Sequence, residues 1–254
     1  MNAPAIKELI LKMADDALII GHRNSEWNGF APIIEEDIAF ASIAQDKIGH
    51  AWALYKILHE HFGETDPDRM AFFREEKDFR CCHFVELPIG EYDFSLVRHF
   101  LFDHAEYCRY EMLEHSSYEP LAQLAKKIKG EIKYHLLHAD TWIKKLGAQG
   151  SEESHARMQS SLNELYPLAL GIFEPGNFEN ELMGENIFAG ETELQKQWLE
   201  NITNSLNNTN LKLPEVKNPR IGFGGRKGFH TEYLRPLITE MSEVIKSEEA
   251  GTEW

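Results

Sequence analysis

The sequence predicts an all-α fold, a bundle of long helices with further helices appended toward the C-terminus. Three observations carry that reading. Apolar residues recur at spacings of three, four and seven through most of the chain. No run alternates apolar and polar residues long enough to make a strand, and no short solenoid-type repeat is present. A chain of 254 residues with 43% hydrophobic content can bury one large core, so residues 1–254 read as a single domain.

Ile6, Leu9, Ile10, Met13, Ala17 and Ile20 mark a first amphipathic helix running to the neighbourhood of Glu26, after which Gly29 and Pro32 punctuate the chain. With Pro32 near its first turn, a second helix carries Ile34, Ile38, Ala41, Ile48 and Trp52 toward His61, and Gly63 stops it. A shorter helical stretch is expected over 67–82, then a turn at Pro88-Ile89-Gly90. Phe94, Val97, Leu101, Ala105 and Met112 form the stripe of a third long helix, which contains Asp103. Leu124, Ile128, Ile132, His135, Ala139, Trp142, Ile143 and Leu146 form a fourth, begun after Pro120 and ended by Gly147 and Gly150. Beyond it the chain reads as a helix from 151 to Gly171, a turn-rich acidic connection, a helix over 190–207, a loop containing Pro214 and Pro219, and a last helix from 231.

Composition narrows the function. The formal net charge of −16, from 26 basic and 42 acidic residues, disfavours binding to nucleic acid or an anionic membrane through the general surface. Apolar stretches are broken by charge every few residues, short of the roughly 18 consecutive apolar residues a membrane span needs. Cys81, Cys82 and Cys108 form no Cys-x-x-Cys pair, and the N-terminus lacks a basic segment followed by an apolar run, so a reducing cytoplasm is the expected location.

The chemistry-bearing pattern is an acid and a histidine one helical turn apart, present twice: Asp46-Lys47-Ile48-Gly49-His50 and Glu131-Ile132-Lys133-Tyr134-His135. A di-iron carboxylate bundle takes one carboxylate from each of two helices and a Glu-x-x-His pair from each of two others. Here Lys47 and Ile132 stand three before the histidines; an ammonium repels a cation and an alkyl chain has no lone pair to offer. Glu26, His50, Asp103 and His135 are the inward candidates, one per long helix, and each alone is more often an ordinary hydrogen-bonded polar residue. Asp46 and Glu131 stand four before each histidine, as a local helix pair or as carboxylates that orient metal-bound imidazoles from outside. Lys47 is either a solvated helix residue or a fixed cation among Glu26, Asp103 and Asp46. Two readings compete: a chain without metal, and a di-iron or mononuclear iron oxidase acting through Glu26, His50, Asp103 and His135. A ferritin-like metal store is a weaker third.

The second distinctive segment is Gly222-Phe223-Gly224-Gly225-Arg226-Lys227-Gly228-Phe229-His230-Thr231-Glu232. It lacks the Gly-Lys-Ser/Thr ending of a phosphate-binding loop. Gly224, Gly225, Gly228, the cations Arg226 and Lys227, and a helix start with Thr231 as candidate cap nevertheless fit either an anion nest or a tight turn at an interface between subunits.

Asn24-Ser25-Glu26-Trp27, the run Gln45 to His50, and the run Gly224 to Glu232 with Leu234, Leu237 and Glu240-Met241 resemble the C-subunit family of the phenylacetyl-CoA epoxidase complex, over nearly the whole chain. The resemblance implies a ferritin-like four-helix bundle and a paralogue of the catalytic subunit that does not itself carry the di-iron chemistry. The catalytic paralogue's two ligand glutamates fall on Lys47 and Ile132, its histidines on His50 and His135, and its remaining carboxylates on Glu26 and Asp103. The implied partners are the ferritin-like catalytic subunit, which holds the di-iron, and the other complex components. Such complexes epoxidise the aromatic ring of phenylacetyl-CoA with O2 and electrons from a flavin and iron–sulfur reductase. No catalytic residue, metal or other cofactor is then expected in this chain, which alone would be inactive. The loop Gly224, Gly225, Arg226, Lys227, Gly228, His230 and Thr231 would face the partner or contact the CoA thioester.

Overall fold

The structure is a computed structural model and describes residues 1–247. Ten α-helices follow one another among those residues, with three 3-10 turns and no strand: α1 (Ala3–Ser25), α2 (Ile34–Phe62), α3 (Pro67–Phe72), α4 (His83–Glu86), α5 (Tyr92–Leu113), α6 (Glu119–Ala148), α7 (Glu152–Ala169), α8 (Glu179–Gly184), α9 (Glu191–Leu206) and α10 (Leu234–Ser247). None is long and apolar enough to cross a membrane.

Local chemistry sets the ends. Asn2 caps α1 by accepting from the Ala5 amide at 3.1 Å, Ser151 does the same for α7 through the Ser154 amide, and Gly63 closes α2 in the left-handed conformation, φ 70°. The short connection after α1 makes α1 and α2 antiparallel neighbours, and the turn at 114–118 does the same for α5 and α6. Residues 63–91 cross between the two pairs, and α2 meets α6 to close the four-helix bundle. The C-terminal helices are layered outside: α7 and α9 pack on α5, where Trp198 is fully buried, stacks on Tyr166 and donates to the Leu101 carbonyl at 2.9 Å.

The stretch 67–82, expected to be helical, is so only as far as Phe72. A 3-10 turn follows at Glu76–Asp78, and the chain then extends through Cys82. The physical reason lies in α1. Asp15 and Asp16 are buried, and they draw this segment inward: Arg74 pairs with Asp15 at 2.5 Å, while the Arg80 and Cys82 amides donate to Asp15 and Asp16 at 2.6 and 2.8 Å. Backbone amides used that way are unavailable to a helix. The short α4 and α8 lie in segments read from sequence as connections, and α10 starts at Leu234 rather than 231.

Candidate functional site

The third long helix of the bundle brings a row of polar groups into the core. On α5, His99, Asp103 and Glu106 stand at i, i+4 and i+7, so they share one face, and all three are buried. Lys47 of α2 points at that face with no exposed surface. Its Nζ donates to Asp103 Oδ1 at 2.7 Å and to the Glu106 carboxylate. His99 Nδ1 lies 2.9 Å from the other Asp103 oxygen, without the alignment of a hydrogen bond.

Burial opposes every charge in this cluster, and the outcome differs by residue. Asp103 would be pushed up by burial, but His99 and Lys47 together hold it well below the usual carboxylate range. Glu106 is pushed up by burial to about 7, with Lys47 pulling the other way. Burial disfavours the Lys47 ammonium, yet Asp103 and Glu106 outweigh it and raise its pKa. Lys47 is thus a permanent cation, neutralised mainly by Asp103.

Around this centre the two acid–histidine motifs do not pair along their own helices. They cross: His50 Nε2 meets Glu131 at 2.8 Å and His135 Nε2 meets Asp46 at 3.0 Å, so each histidine bridges α2 and α6. Neither i,i+4 pair suggested by the spacing forms. Both histidines are buried and neutral: burial, with Lys47 adding to it, lowers His50 to about 3, and burial lowers His135. A carboxylate only accepts, so each Nε2 carries the proton and each Nδ1 keeps a lone pair. Both Nδ1 atoms are buried without a partner, and the two rings sit 6.3 Å apart between centroids.

A ring nitrogen held by an outer carboxylate while the other points inward is the posture of a metal-binding histidine. The rest of the site does not fit a pair of iron ions. The position of one ligand glutamate holds the Lys47 ammonium, which already takes Asp103 and Glu106 as its counter-charges; the other holds Ile132, fully buried in the apolar core. Glu26 does not join either. It caps the end of α1 and pairs with Arg23 at 2.6 Å, about one third exposed. Lys47 is therefore neither solvated nor set among Glu26 and Asp46.

Sequence reasoning missed His99 and Glu106, although their i, i+4, i+7 register with Asp103 was available as polar residues interrupting an apolar stripe. It also missed Glu36. That buried carboxylate of α2 accepts from Trp142 Nε1 at 2.8 Å, from His138 Nε2 at 2.7 Å and from the Tyr92 hydroxyl. Those partners stand 106, 102 and 56 residues further along the chain, so nothing local announces them.

A family profile described as "Phenylacetic acid catabolic protein" matches residues 1–254. A curated relative, the C subunit of the 1,2-phenylacetyl-CoA epoxidase of Escherichia coli (strain K12), is 30% identical over 244 residues, covering 96% of this chain and 97% of the relative. The chain belongs to the phenylacetic acid catabolic protein family.

In this member of the family the glycine-rich loop folds back on its own chain. Arg226, buried, makes a two-pronged pair with Asp16 at 2.8 and 2.7 Å and donates to the Arg80 and Ile172 carbonyls. A Cβ on Gly225 would collide with the Cys81 carbonyl oxygen, and one on Gly228, at φ +79°, with the Lys77 carbonyl oxygen. Thr231 does not cap α10; its amide and hydroxyl donate to Glu86 at 2.7 and 2.6 Å. Arg226 is accordingly not free for a partner or a CoA phosphate. Of the side chains at 224–231, Lys227 and Phe229 are the ones left exposed.

Proposed function

We propose that the chain is a non-catalytic structural subunit of a multicomponent phenylacetyl-CoA epoxidase in phenylacetate degradation, holding no di-iron itself and stabilising a ferritin-like di-iron catalytic subunit. One observation carries the reading: the Lys47 ammonium stands between Asp103 and Glu106, fully buried, where an oxygen-activating bundle needs an anionic ligand. The histidines still hold α2 to α6 through Glu131 and Asp46, so the remnant pattern has a structural use without metal.

The outer face of α2 and α6 supports a docking role. Ile34 and Ile38, one turn apart on α2, are 72% and 62% exposed, and Tyr134 and Leu137 of α6 are 75% and 65% exposed. Tyr134 and Leu137 line, with Ile33 and Trp142, an open groove of about 530 Å³. Large apolar side chains gathered on the bundle's outer face are the composition of a protein interface. The loop at 224–231 supports the same assignment more than a CoA contact, because its arginine is occupied inside the chain while Phe229 is 72% exposed. Three buried free cysteines fit a reducing cytoplasm.

Co-expression with a candidate di-iron subunit, followed by sizing and by CoA-ester turnover with O2 and a flavin and iron–sulfur reductase supplied, tests the proposal. A stable complex is expected, with turnover absent from this chain alone and present in the complex. Turnover by the isolated chain contradicts it.

A further inference from the structure

Away from the bundle centre, three side chains from three separate segments converge in the interior: Cys81 of the extended crossover, Glu86 at the end of α4, and His230 of the glycine loop. We propose that Cys81, Glu86 and His230 bind one thiophilic divalent cation of the zinc class. Cys81 Sγ lies 3.6 Å from Glu86 Oε1 and 3.9 Å from His230 Nδ1, and Nδ1 lies 2.7 Å from Oε1. All donor atoms fall within 4.8 Å of one another, and the side chains of Glu86 and His230 have no exposed surface.

The hydrogen bonds around the cluster prepare it for a cation. His230 Nε2 faces the Phe79 carbonyl at 3.1 Å, and a carbonyl only accepts, so Nε2 carries a proton. In a neutral ring Nδ1 is then a lone pair aimed at a carboxylate lone pair, an arrangement that needs a positive centre between them. Glu86 Oε2 is fixed by the Thr231 amide and hydroxyl, which leaves Oε1 turned toward the ring and the thiol. A backbone carbonyl behind the imidazole and donors behind the carboxylate are the supports that metal ligands receive. A tetrahedral zinc at ordinary bond lengths sets its donors roughly 3.3–3.6 Å apart. Sγ already sits near that spacing from both partners, and the His230–Glu86 gap has to open by roughly 0.6 Å.

A proton alone would also satisfy Nδ1 and Oε1, and Cys81 separates the two cases. A thiolate and a carboxylate together neutralise a dication, so the loaded cluster is uncharged and compatible with its burial. Loading releases the thiol proton, and the Nδ1 proton where the ring is an imidazolium. The ion would fasten the glycine loop to α4 and the crossover, where Gly225 already brings the backbone against Cys81.

The test is cobalt and zinc loading of the full-length chain, without a histidine tag, both by titration and by refolding with the ion present. Expected is one ion per chain, with a thiolate-to-cobalt charge-transfer band that survives Cys108→Ser and vanishes in Cys81→Ser. Thr231→Val, which keeps all three ligands and the backbone amide but removes the hydroxyl that helps fix the Glu86 carboxylate, should weaken zinc binding by about 10-fold. If Cys81→Ser does not fold, His230→Gln takes its place and must lose the band. No thiolate band in the folded wild-type chain by either route, or a band that persists in the ligand variants, overturns the proposal and leaves an imidazolium–carboxylate pair.

Discussion

Lys47 shows how much one side chain decides. Its ammonium has no exposed surface and two carboxylates within reach, so Lys47→Met would strand Asp103 and Glu106 in the core. Removing one partner of a buried ionic group commonly destabilises by about 3–5 kcal/mol, and urea unfolding should show a loss of that size. A change within about 0.5 kcal/mol would mean that the cluster is not held by this cation. The buried histidines make a separate prediction. His22 and His50 are lowered by burial to about 4 and about 3, and His135 and His138 are lowered as well. Below about pH 6.5 the unfolded chain takes up protons that the folded chain refuses, so their stabilisation is complete above that pH and is lost as pH falls toward the folded values. His22 and His50 each contribute a slope of up to about 1.4 kcal/mol per pH unit in that window, and Glu106, raised to about 7, offsets one of them because its folded state takes up a proton there that the unfolded chain does not. Urea midpoints should therefore fall from pH 7 to pH 5, and equal midpoints would contradict neutral, buried imidazoles. The sequence allowed the absence of ligand glutamates at Lys47 and Ile132 to be read directly, because it depends only on residue type. What it hid was direction: an acid four residues from a histidine looks like a local pair, and only the facing helix shows that Asp46 and Glu131 reach across.

The long helices were legible because each must bury one stripe, which prints a period on the sequence, and their Gly and Pro boundaries have local causes. The crossover was not, because its shape is set by Asp15 and Asp16 on a helix some sixty residues earlier. The loop at 222–232 follows the same logic, Gly225 and Gly228 recording close approaches to residues 77–82 and Gly222 one to Leu168 and Gly171. Its two cations should therefore separate on mutation. Arg226→Ala leaves Asp16 buried and unpaired and should destabilise by about 3–5 kcal/mol, whereas Lys227→Ala should leave thermal stability unchanged. Equal effects of the two changes would contradict the inward course of the loop. On α2 and α6, Ile38→Asp and Leu137→Asp place charges on exposed apolar positions, so the isolated chain should fold normally. Association with a catalytic partner should weaken at least tenfold, about 1.4 kcal/mol, measured by sizing or calorimetry. Unchanged association would place the interface elsewhere.

Taken entire, the chain keeps the frame of an iron-binding bundle and fills its centre with an internal ion cluster. The crossed histidine–carboxylate pairs, the Lys47 cluster and the Glu36 hub tie the helices together with polar contacts in the core. His50→Ala should accordingly lower the stability of the chain while leaving kcat unchanged in an intact, assembled complex; a loss of kcat there would assign His50 a part in the chemistry. The central claim is that the bundle centre takes no iron, and iron stoichiometry tests it most directly. The chain, produced with iron supplied and then titrated anaerobically with ferrous ion, should hold far less than one iron at this centre, and in a Cys81→Ser background its melting temperature should not rise. Binding at about 100 times the dissociation constant would add about 2.7 kcal/mol, well within detection. Two iron ions per chain, lost on His50→Ala, would contradict the account.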